Sequence, residues 1–163
     1  MADESFRTMT SRGGIMIGVI SDTHGLLRSE VLKIFEHAEY ILHAGNIGGR
    51  KVLDDLQKIA PVRAVRGSAD HNAWGLSLPE TNSLEIDEVS IYLLHDVNEL
   101  NIKRRYDVII SGHGHVAKKD MMDGVLYFNP GCAGPQQGHL PVSVGRLTIS
   151  GEKISHEIVE LAV

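Results

Sequence analysis

The fold of this chain is decided first by the stretch Ile17-Gly18-Val19-Ile20-Ser21-Asp22-Thr23-His24. A short apolar run that ends in polar residues is typical of a buried strand followed by a turn. The pattern recurs where 40–42 runs into His43-Ala44-Gly45-Asn46 and where 108–110 runs into Ser111-Gly112-His113-Gly114-His115. In an open α/β sheet, ligands bind beyond the carboxyl ends of the strands. The three strand ends therefore predict one rim that carries carboxylate and imidazole ligands for a divalent metal.

Composition and charge limit the class of protein. The chain has 163 residues, of which 42% are hydrophobic, and this suits one globular domain with its own core. The formal charge is −5, and the longest basic runs are only Arg104-Arg105 and Lys118-Lys119. This pattern argues against generic nucleic-acid binding along a phosphate-tracking surface. The single cysteine, Cys132, excludes an internal disulfide and fits a reducing compartment.

The beginning of the chain and its hydropathy indicate a location. Residues 1–14 are polar and contain no hydrophobic signal region, so we expect a disordered leader over 1–14 and a folded domain over 15–163. No apolar stretch approaches the ~20 residues that a membrane span needs. The expected location is cytoplasmic, with no membrane contact.

The first half of the chain predicts alternating strands and helices. The strands are expected over 15–21, 40–43 and 62–65. One helix is expected to follow an N-cap at Ser29, with an apolar face of Val31, Leu32, Ile34 and Phe35, and a second helix is expected over 50–59, stopped by Pro61. This order predicts parallel strand pairing with right-handed crossovers.

The second half predicts mostly strands. They are expected over 81–86, 89–94, 107–111, 119–122, 125–128, 142–149 and 153–159, with a short polar helix over 98–105. Turns are expected at Asp87-Glu88, Asp123-Gly124 and Ser150-Gly151, of which Asp-Gly is a strong hairpin signal. Two sheets packed face to face with helices outside account for both halves.

The candidate ligands indicate a metal site only when they are considered as a group. Asp22 and His24 stand two residues apart at a strand end, as do His113 and His115, whose glycine neighbours let the backbone bend. His95 ends the apolar run 91–94. Each feature alone is also compatible with surface or half-buried histidines. The presence of aspartate and histidine residues at several strand ends predicts metal binding.

In their order along the chain, these motifs resemble the calcineurin-like metallophosphoesterases, specifically their small single-domain phosphodiesterase branch. The resemblance covers nearly all of the chain after Ile15. The matching stretches are 20–25, 43–48, 65–70, 94–96, 111–115 and 128–132. The resemblance implies an α/β fold, a four-layer α-β-β-α sandwich of two packed mixed sheets.

The same resemblance implies two divalent metal ions, with manganese expected first and iron, zinc or nickel as alternatives. It places Asp22, His24 and His115 at the first metal, Ser68, His95 and His113 at the second, and Asn46 between the two. Together, the metals of such a site clamp a phosphoryl group and generate the attacking hydroxide. Asp22, His24, Asn46, His95, His113 and His115 are therefore the implied catalytic residues.

Two positions depart from the family pattern, which has Asp at position 46 and Asn at position 68. Asn46 offers one neutral carbonyl oxygen where a carboxylate offers two anionic oxygens, so the affinity for the second metal is expected to fall. Ser68 is shorter than Asn and reaches a metal only through water. The retromer subunit that shares this fold is altered at the same positions, which makes an inactive binding scaffold an alternative.

Other polar groups near these motifs allow more than one interpretation. Position 69 is Ala, where larger members of the family carry a proton-donating His, so substrates with good leaving groups are favoured. His43 and His71 are either proton donors or ordinary buried and surface histidines. Asp70 is expected to orient the turn or a ligating ring rather than bind metal. Loop 128–135 either borders the site or simply joins two strands.

The sequence predicts a metal-dependent phosphodiesterase that acts on a small phosphodiester, with impaired binding of the second metal. The alternatives are a weak or inactive scaffold and a phosphomonoesterase or nucleotide hydrolase. The resemblance also implies a homo-oligomer.

Overall fold

The computed structural model describes residues 14–163, and these contain ten strands. The strands are β1 (Ile15–Ile20), β2 (Tyr40–His43), β3 (Val62–Ala64), β4 (Thr81–Ile86), β5 (Val89–Leu94), β6 (Val108–Ile110), β7 (Lys118–Met122), β8 (Val125–Asn129), β9 (Ser143–Ser150) and β10 (Lys153–Glu160). The helices are α1 (Ser29–Ile34), α2 (Arg50–Gln57) and α3 (Ala73–Leu76), with a 3-10 turn at Val97–Glu99. The predicted leader, apart from Gly14, lies outside the described residues.

The first sheet has the strand order β10-β9-β1-β2-β3. β1 pairs with β2 and β2 with β3 in parallel, which confirms the pairing expected from the β-α-β-α-β order. β9 pairs antiparallel with both β1 and β10. The carboxyl ends of β1, β2 and β3 therefore lie at one edge of the molecule.

The second sheet has the order β4-β5-β6-β8-β7. β5, β6 and β8 are parallel to one another, and antiparallel β4 and β7 form its edges. The hairpin turns at Asp87-Glu88 and Asp123-Gly124 are confirmed, and Asp123 and Gly124 both adopt positive φ. The third turn lies at Gly151-Glu152, one residue later than predicted, because Ser150 still pairs with Lys153. Two mixed sheets of five strands confirm the predicted fold class.

The main core lies between the two sheets. Buried side chains of the first sheet, such as Ile17 and Val19, belong to the same apolar cluster as Ile91 and Ile110 of the second. The sheets come close near Gly145 of β9, where an added Cβ would lie 2.3 Å from the ring of Phe128. Burial on these faces fixes the register, because a shift by one residue would turn every apolar side chain outward.

The helices cover the outer face of the first sheet. Val31 and Phe35 near α1, together with Val52, Leu53 and Leu56 of α2, belong to a second buried cluster with Ile20 and Ile41. Two details of α1 differ from the prediction. Leu32 is 39% exposed, and Ser29 is the first helical residue rather than the N-cap, which is Arg28 without a side-chain cap. The Ser29 hydroxyl instead lies 3.4 Å from the carboxylate of Glu30.

The predicted helix over 98–105 is wrong. Only the 3-10 turn Val97–Glu99 is present, and an irregular segment covers the outer face of the second sheet. Its apolar residues Leu100, Ile102 and Tyr106 pack against Ile109. The two-residue spacing of Leu100 and Ile102 suits an extended chain, because a helix would place those side chains about 200° apart.

No helix within residues 14–163 is both long and apolar enough to cross a bilayer.

Candidate metal centre

The predicted ligands follow five strands that end at one rim of the sandwich. They are Asp22 and His24 after β1, Asn46 after β2, Ser68 after β3, His95 after β5, and His113 and His115 after β6. The rims of the two sheets touch where Nδ1 of His95 lies 2.7 Å from the carbonyl oxygen of Ala44. The parallel strand directions therefore bring together groups that are 91 residues apart along the chain, such as Asp22 and the backbone of His113.

Asp22 lies at the centre of this rim and is completely buried. Its Oδ2 accepts hydrogen bonds from the hydroxyl of Ser21 at 2.8 Å and from the backbone N–H of His113 at 3.3 Å. Its Oδ1 lies 3.7 Å from Nε2 of His24. The carboxylate thus links the loop after β1 to the loop after β6. Gly112 permits this approach, since an added Cβ there would lie 2.0 Å from the Ser21 oxygen.

His95 presents an unused imidazole nitrogen to the rim. A carbonyl oxygen can only accept a hydrogen bond, so Nδ1 of His95 carries the proton that is donated to Ala44. Its Nε2 is buried and has no hydrogen-bond partner. An oriented imidazole whose second nitrogen points into a polar site is the arrangement that a metal-binding histidine requires.

The histidines at this rim lie in two pairs. The ring centroids of His95 and His113 are 5.4 Å apart, and those of His24 and His115 are 6.2 Å apart. Nδ1 of His115 is a second buried nitrogen without a partner. Nε2 of His113 lies 3.9 Å from the carboxylate of Asp96, which follows His95 and was not assigned a role from the sequence.

The backbone at these ligands is strained. Seven non-glycine residues within 14–163 have positive φ, and two of them, Asp87 and Asp123, lie in hairpin turns. The other five are Asp22, His24, Asn46, His113 and His115. Each such residue costs about 1–3 kcal/mol, so the surrounding hydrogen bonds must hold these conformations. Strained backbone that coincides with the predicted ligands supports a functional role for this rim.

Asn46 is engaged by protein groups at both ends of its amide. Its Nδ2 donates to Oδ1 of Asp22 at 3.0 Å, and its Oδ1 accepts from the N–H of Ala69 at 2.9 Å. The amide therefore bridges the loop after β1 to the loop after β3. A carboxylate at this position would instead place an anionic oxygen against Asp22, an arrangement that favours a cation between them.

Asp70 shapes the loop that carries Ser68. Its carboxylate accepts hydrogen bonds from the N–H groups of Ile47, Gly48 and Gly67 at 3.0–3.2 Å. These bonds show that Asp70 orients the turns after β2 and β3, which is one of the two roles expected from the sequence. Ser68 is exposed and borders a cleft of about 690 Å³ together with His71, His95 and His113.

His43 is structural rather than a proton donor to substrate. It is completely buried, and Nδ1 accepts from the N–H of Gly45 at 3.1 Å. Nε2 therefore carries the proton and donates to Oγ1 of Thr23 at 3.0 Å, and that hydroxyl donates to the carbonyl of Ile47 at 2.7 Å. Burial lowers the pKa of His43 to about 4, against weaker opposing effects of Asp22 and Asp70. His71, by contrast, is exposed and lines the cleft.

Loop 128–135 borders the rim and contains a residue that the sequence reasoning missed. Nδ2 of Asn129 donates to the carbonyls of Gly112 at 2.8 Å and His113 at 3.0 Å, while its Oδ1 accepts from Gly131. Because β8 is parallel to β6, the strand-end rule that singled out His113 could also have found Asn129. The loop then passes over Asp22, whose carbonyl accepts from the N–H of Gly134.

The environment of Cys132, in the same loop, does not suit a nucleophilic thiol. The residue is buried, and burial is the largest cause of the raised pKa of its thiol. The thiol lies 3.4 Å from the carbonyl oxygen of Asp22. A protonated thiol in this position packs against the Asp22 loop.

The donors fit divalent metals by type, although their arrangement is open. Within residues 14–163, no three His, Cys, Asp or Glu side chains lie close enough to form a closed metal site. The rim offers instead the buried carboxylate of Asp22 and, at His95 and His115, two buried imidazole nitrogens without hydrogen-bond partners. Carboxylate and imidazole together suit manganese, iron, zinc and nickel.

A family model for the calcineurin-like phosphoesterase superfamily domain matches residues 15–152. The chain belongs to this superfamily. A curated relative, a probable metallophosphoesterase from Methanothermobacter thermautotrophicus, is 32% identical over 160 residues, covering 89% of this chain and 92% of that protein. The family and this relative support a phosphoester hydrolase, and the family implies divalent metal ions.

Two solved structures show how closely the superfamily fold is matched. One, described as a novel archaeal phosphodiesterase, has a TM-score of 0.72 at 23% identity and covers 89% of this chain and 100% of that one. The other is Vps29 of Entamoeba histolytica complexed with Zn²⁺, with a TM-score of 0.70 at 23% identity and coverage of 90% and 99%. At this identity the likeness establishes the fold.

Proposed function

We propose that this member of the superfamily is a metal-dependent phosphodiesterase whose second metal site is weakened by Asn46 and Ser68. The observation that carries the proposal is the rim itself. Asp22, His24, His113 and His115 lie on turns with positive φ at this rim, and His95 and His115 each present a buried imidazole nitrogen without a partner. Strained backbone of this kind clusters at active sites and ligand clamps.

Divalent ions at such a site polarise phosphoryl oxygens and activate water as the nucleophile. Asp22, His24 and His115 would hold the first ion, and His95 and His113, with Ser68, would hold the second. The chain itself fixes the ligands for this task. Ala44 orients the ring of His95, Asn129 holds the His113 turn, and Asn46 ties the loops together.

The charges around the rim favour a diester over a monoester. A phosphodiester carries one negative charge near neutral pH, whereas a monoester carries nearly two and needs more compensating positive charge. The cleft of about 690 Å³ is lined by Glu80, Asp96 and Glu99, and its Arg66 is already engaged by Glu80 and the carbonyl of Leu78. Asn46 leaves the metal site one negative charge short, so one metal ion is held more weakly than the other.

Hydrolysis of bis-p-nitrophenyl phosphate tests the proposal against p-nitrophenyl phosphate, a monoester with the same leaving group. We expect metal-dependent hydrolysis with a kcat/KM for the diester at least about tenfold above that for the monoester. His115→Ala should lower the diester rate by about 100-fold, because it removes a ligand. His37→Ala, at a side chain that is 86% exposed on a different surface, is the matched control and should leave the rate unchanged. Equal loss in both variants, or a preference for the monoester, would contradict the proposal.

The hydrogen bonds of Asn46 favour the scaffold as a second candidate. The amide donates to Asp22 and accepts from Ala69, so protein groups alone satisfy the position between the two metal sites. A protein that only binds a partner has no need for metal there. Absence of diester hydrolysis with manganese, zinc, nickel and iron, in folded protein, would favour this scaffold over the enzyme.

The expected metal, location, substrate size and oligomeric state are inferred from the sequence. Manganese as the preferred ion, a cytoplasmic location, a small phosphodiester as substrate and a homo-oligomeric state are part of this proposal. The single buried Cys132 supports a reducing compartment. Mass measurement in solution tests the oligomer, and metal analysis of the purified protein tests manganese.

A further inference from the structure

A second cleft borders the rim on the other side of His113. It measures about 430 Å³, within the usual range for small-molecule sites. Its apolar wall consists of Val97, Val116, Met122, Tyr127 and Phe128. Of the residues assigned to the two metals, only His113 lines it.

Three of the apolar side chains in this cleft are open to solvent: Val97 is 38%, Val116 43% and Met122 53% exposed. Val116 follows His115 at the rim, whereas Met122 lies at the far end of the cleft, where it pairs with Val125 at the start of β8. The exposure of Met122 follows from the pleat of β7, where alternate residues face opposite sides. Met122 lines this cleft, whereas its neighbour Met121, 60% exposed, lines a separate depression that also contains Glu88 and His156.

Two residues connect this cleft to the larger polar one. His113 and Asp96 line both, so a group held at His113 has one cleft on each side. The polar cleft contains Glu80 and Glu99, and its Arg66 is occupied by protein groups. Its charges therefore favour a neutral or cationic substituent, while the other cleft favours an apolar one.

We propose that the apolar cleft binds an aryl or alkyl ester arm of the phosphodiester substrate, and that the polar cleft takes a small hydroxylated or cationic arm. A phosphodiester has two such substituents on one phosphorus, which matches two clefts that meet at one histidine. The inference rests on the proposed function, since it assigns the arms of that substrate. It defines the substrate class as an asymmetric diester with one apolar side.

Two simple diesters test the apolar arm without relying on turnover. Diphenyl phosphate and dimethyl phosphate carry the same anionic group and differ only in their arms. With methyl-¹³C-valine protein, we expect diphenyl phosphate to shift the Val116 signals and to bind about tenfold more tightly than dimethyl phosphate. The signals of Val163, which is 61% exposed and lies outside the cleft, should stay in place. Equal affinity for the two diesters, or equal shifts of both valines, would overturn the proposal.

Substitutions of exposed apolar residues provide the matched control. Val116→Ser should abolish the preference for diphenyl phosphate, and Met121→Ser, at an exposed side chain that lines a separate depression, should retain it. If diphenyl phosphate binds at Val116 but no diester is hydrolysed with any metal, the cleft assignment is supported and the proposed function is wrong. If diesters are hydrolysed and the preference for diphenyl phosphate survives Val116→Ser, the proposed function is supported and the cleft assignment is wrong.

Discussion

At the scale of single residues, Asn46 is the position on which the metal content depends. Its amide donates to Asp22 at 3.0 Å, and this bond replaces a contact that a carboxylate would make through a cation. With Asn rather than Asp at this position, hydrogen bonds alone connect the loops of the centre, without a metal ion between them. It also leaves only Asp22 as an anionic ligand among the predicted residues, which lowers the attraction for a second dication.

Asn46→Asp is expected to restore binding of the second metal. Without metal, two carboxylates would face each other in a buried site, so the free energy of unfolding should fall by about 1–3 kcal/mol. Manganese should reverse this loss, raise the melting temperature more than in the natural protein, and increase diesterase activity. Calorimetric titration with manganese measures the number and affinity of the sites.

Asn82→Asp is the control for that experiment, because it adds the same charge on β4, beside Arg63 rather than at the rim. It should change neither the metal stoichiometry nor the activity. Two equally tight manganese sites in the natural protein would show that the idea about Asn46 is wrong.

At the scale of elements, the site depends on turns that are held from outside their own strands. The His113 turn is fixed by Asn129 at the end of β8, and the Asp22 loop is fixed by the backbone of Gly45 and Gly134. Neighbouring loops therefore supply the bonds that stabilise positive φ at the ligands. The loop between β8 and β9 is thus part of the centre rather than only a connection.

Asn129→Ala is expected to displace the His113 turn. It removes two donated hydrogen bonds and one accepted bond, and should lower the free energy of unfolding by about 1–3 kcal/mol. Misplacement of a ligand should lower kcat/KM by about tenfold to 100-fold, with kcat affected more than KM. Thermal denaturation and diester kinetics measure the two effects.

Asn129→Asp separates positioning from simple loss of packing. It keeps the size and the acceptor for Gly131 but turns an oxygen toward two carbonyls, so activity should fall as in the alanine variant. Asn101→Ala, at an exposed position, should be silent in both assays. Full activity in Asn129→Asp would refute the positioning role.

At the scale of the whole molecule, the centre exists because two sheets meet at one edge. Buried polar groups are concentrated there, and the protonation of His43 beneath the rim is coupled to folding. Its pKa is lowered from 6.5 to about 4, mainly by burial. The folded protein therefore holds His43 neutral at pH values where the unfolded chain binds a proton.

The stability contributed by His43 is complete above pH 6.5 and is lost as the pH falls toward 4. The shift corresponds to about 3 kcal/mol, and no further loss from this group is expected below pH 4. Urea unfolding in a chelator between pH 4 and 7.5 measures the slope. The difference between the natural protein and His43→Asn should shrink on acidification, whereas His37→Asn should leave the slope unchanged. A constant difference across this range would contradict the assignment.

The sequence by itself determined the strands, the hairpin turns and the order of the ligands. Alternating and continuous apolar runs encode strands locally, and Asp-Gly encodes a hairpin, so these needed no tertiary information. The prediction of a helix over 98–105 was wrong because it used only the local pattern of polar residues. In the structure, Leu100 and Ile102 of this segment pack on the face of the second sheet. Tertiary packing overrides local preference in such segments.

Only the tertiary structure decided how the ligands are held. Three features depend on how the strand ends approach one another. They are the hydrogen bond from Asn46 to Asp22, the hydrogen bonds from Asn129 to the His113 turn, and the meeting of two clefts at His113. Spacing along the chain carries no record of those distances. They are set when the two sheets bury their apolar faces against each other, which fixes their register and brings their rims into contact.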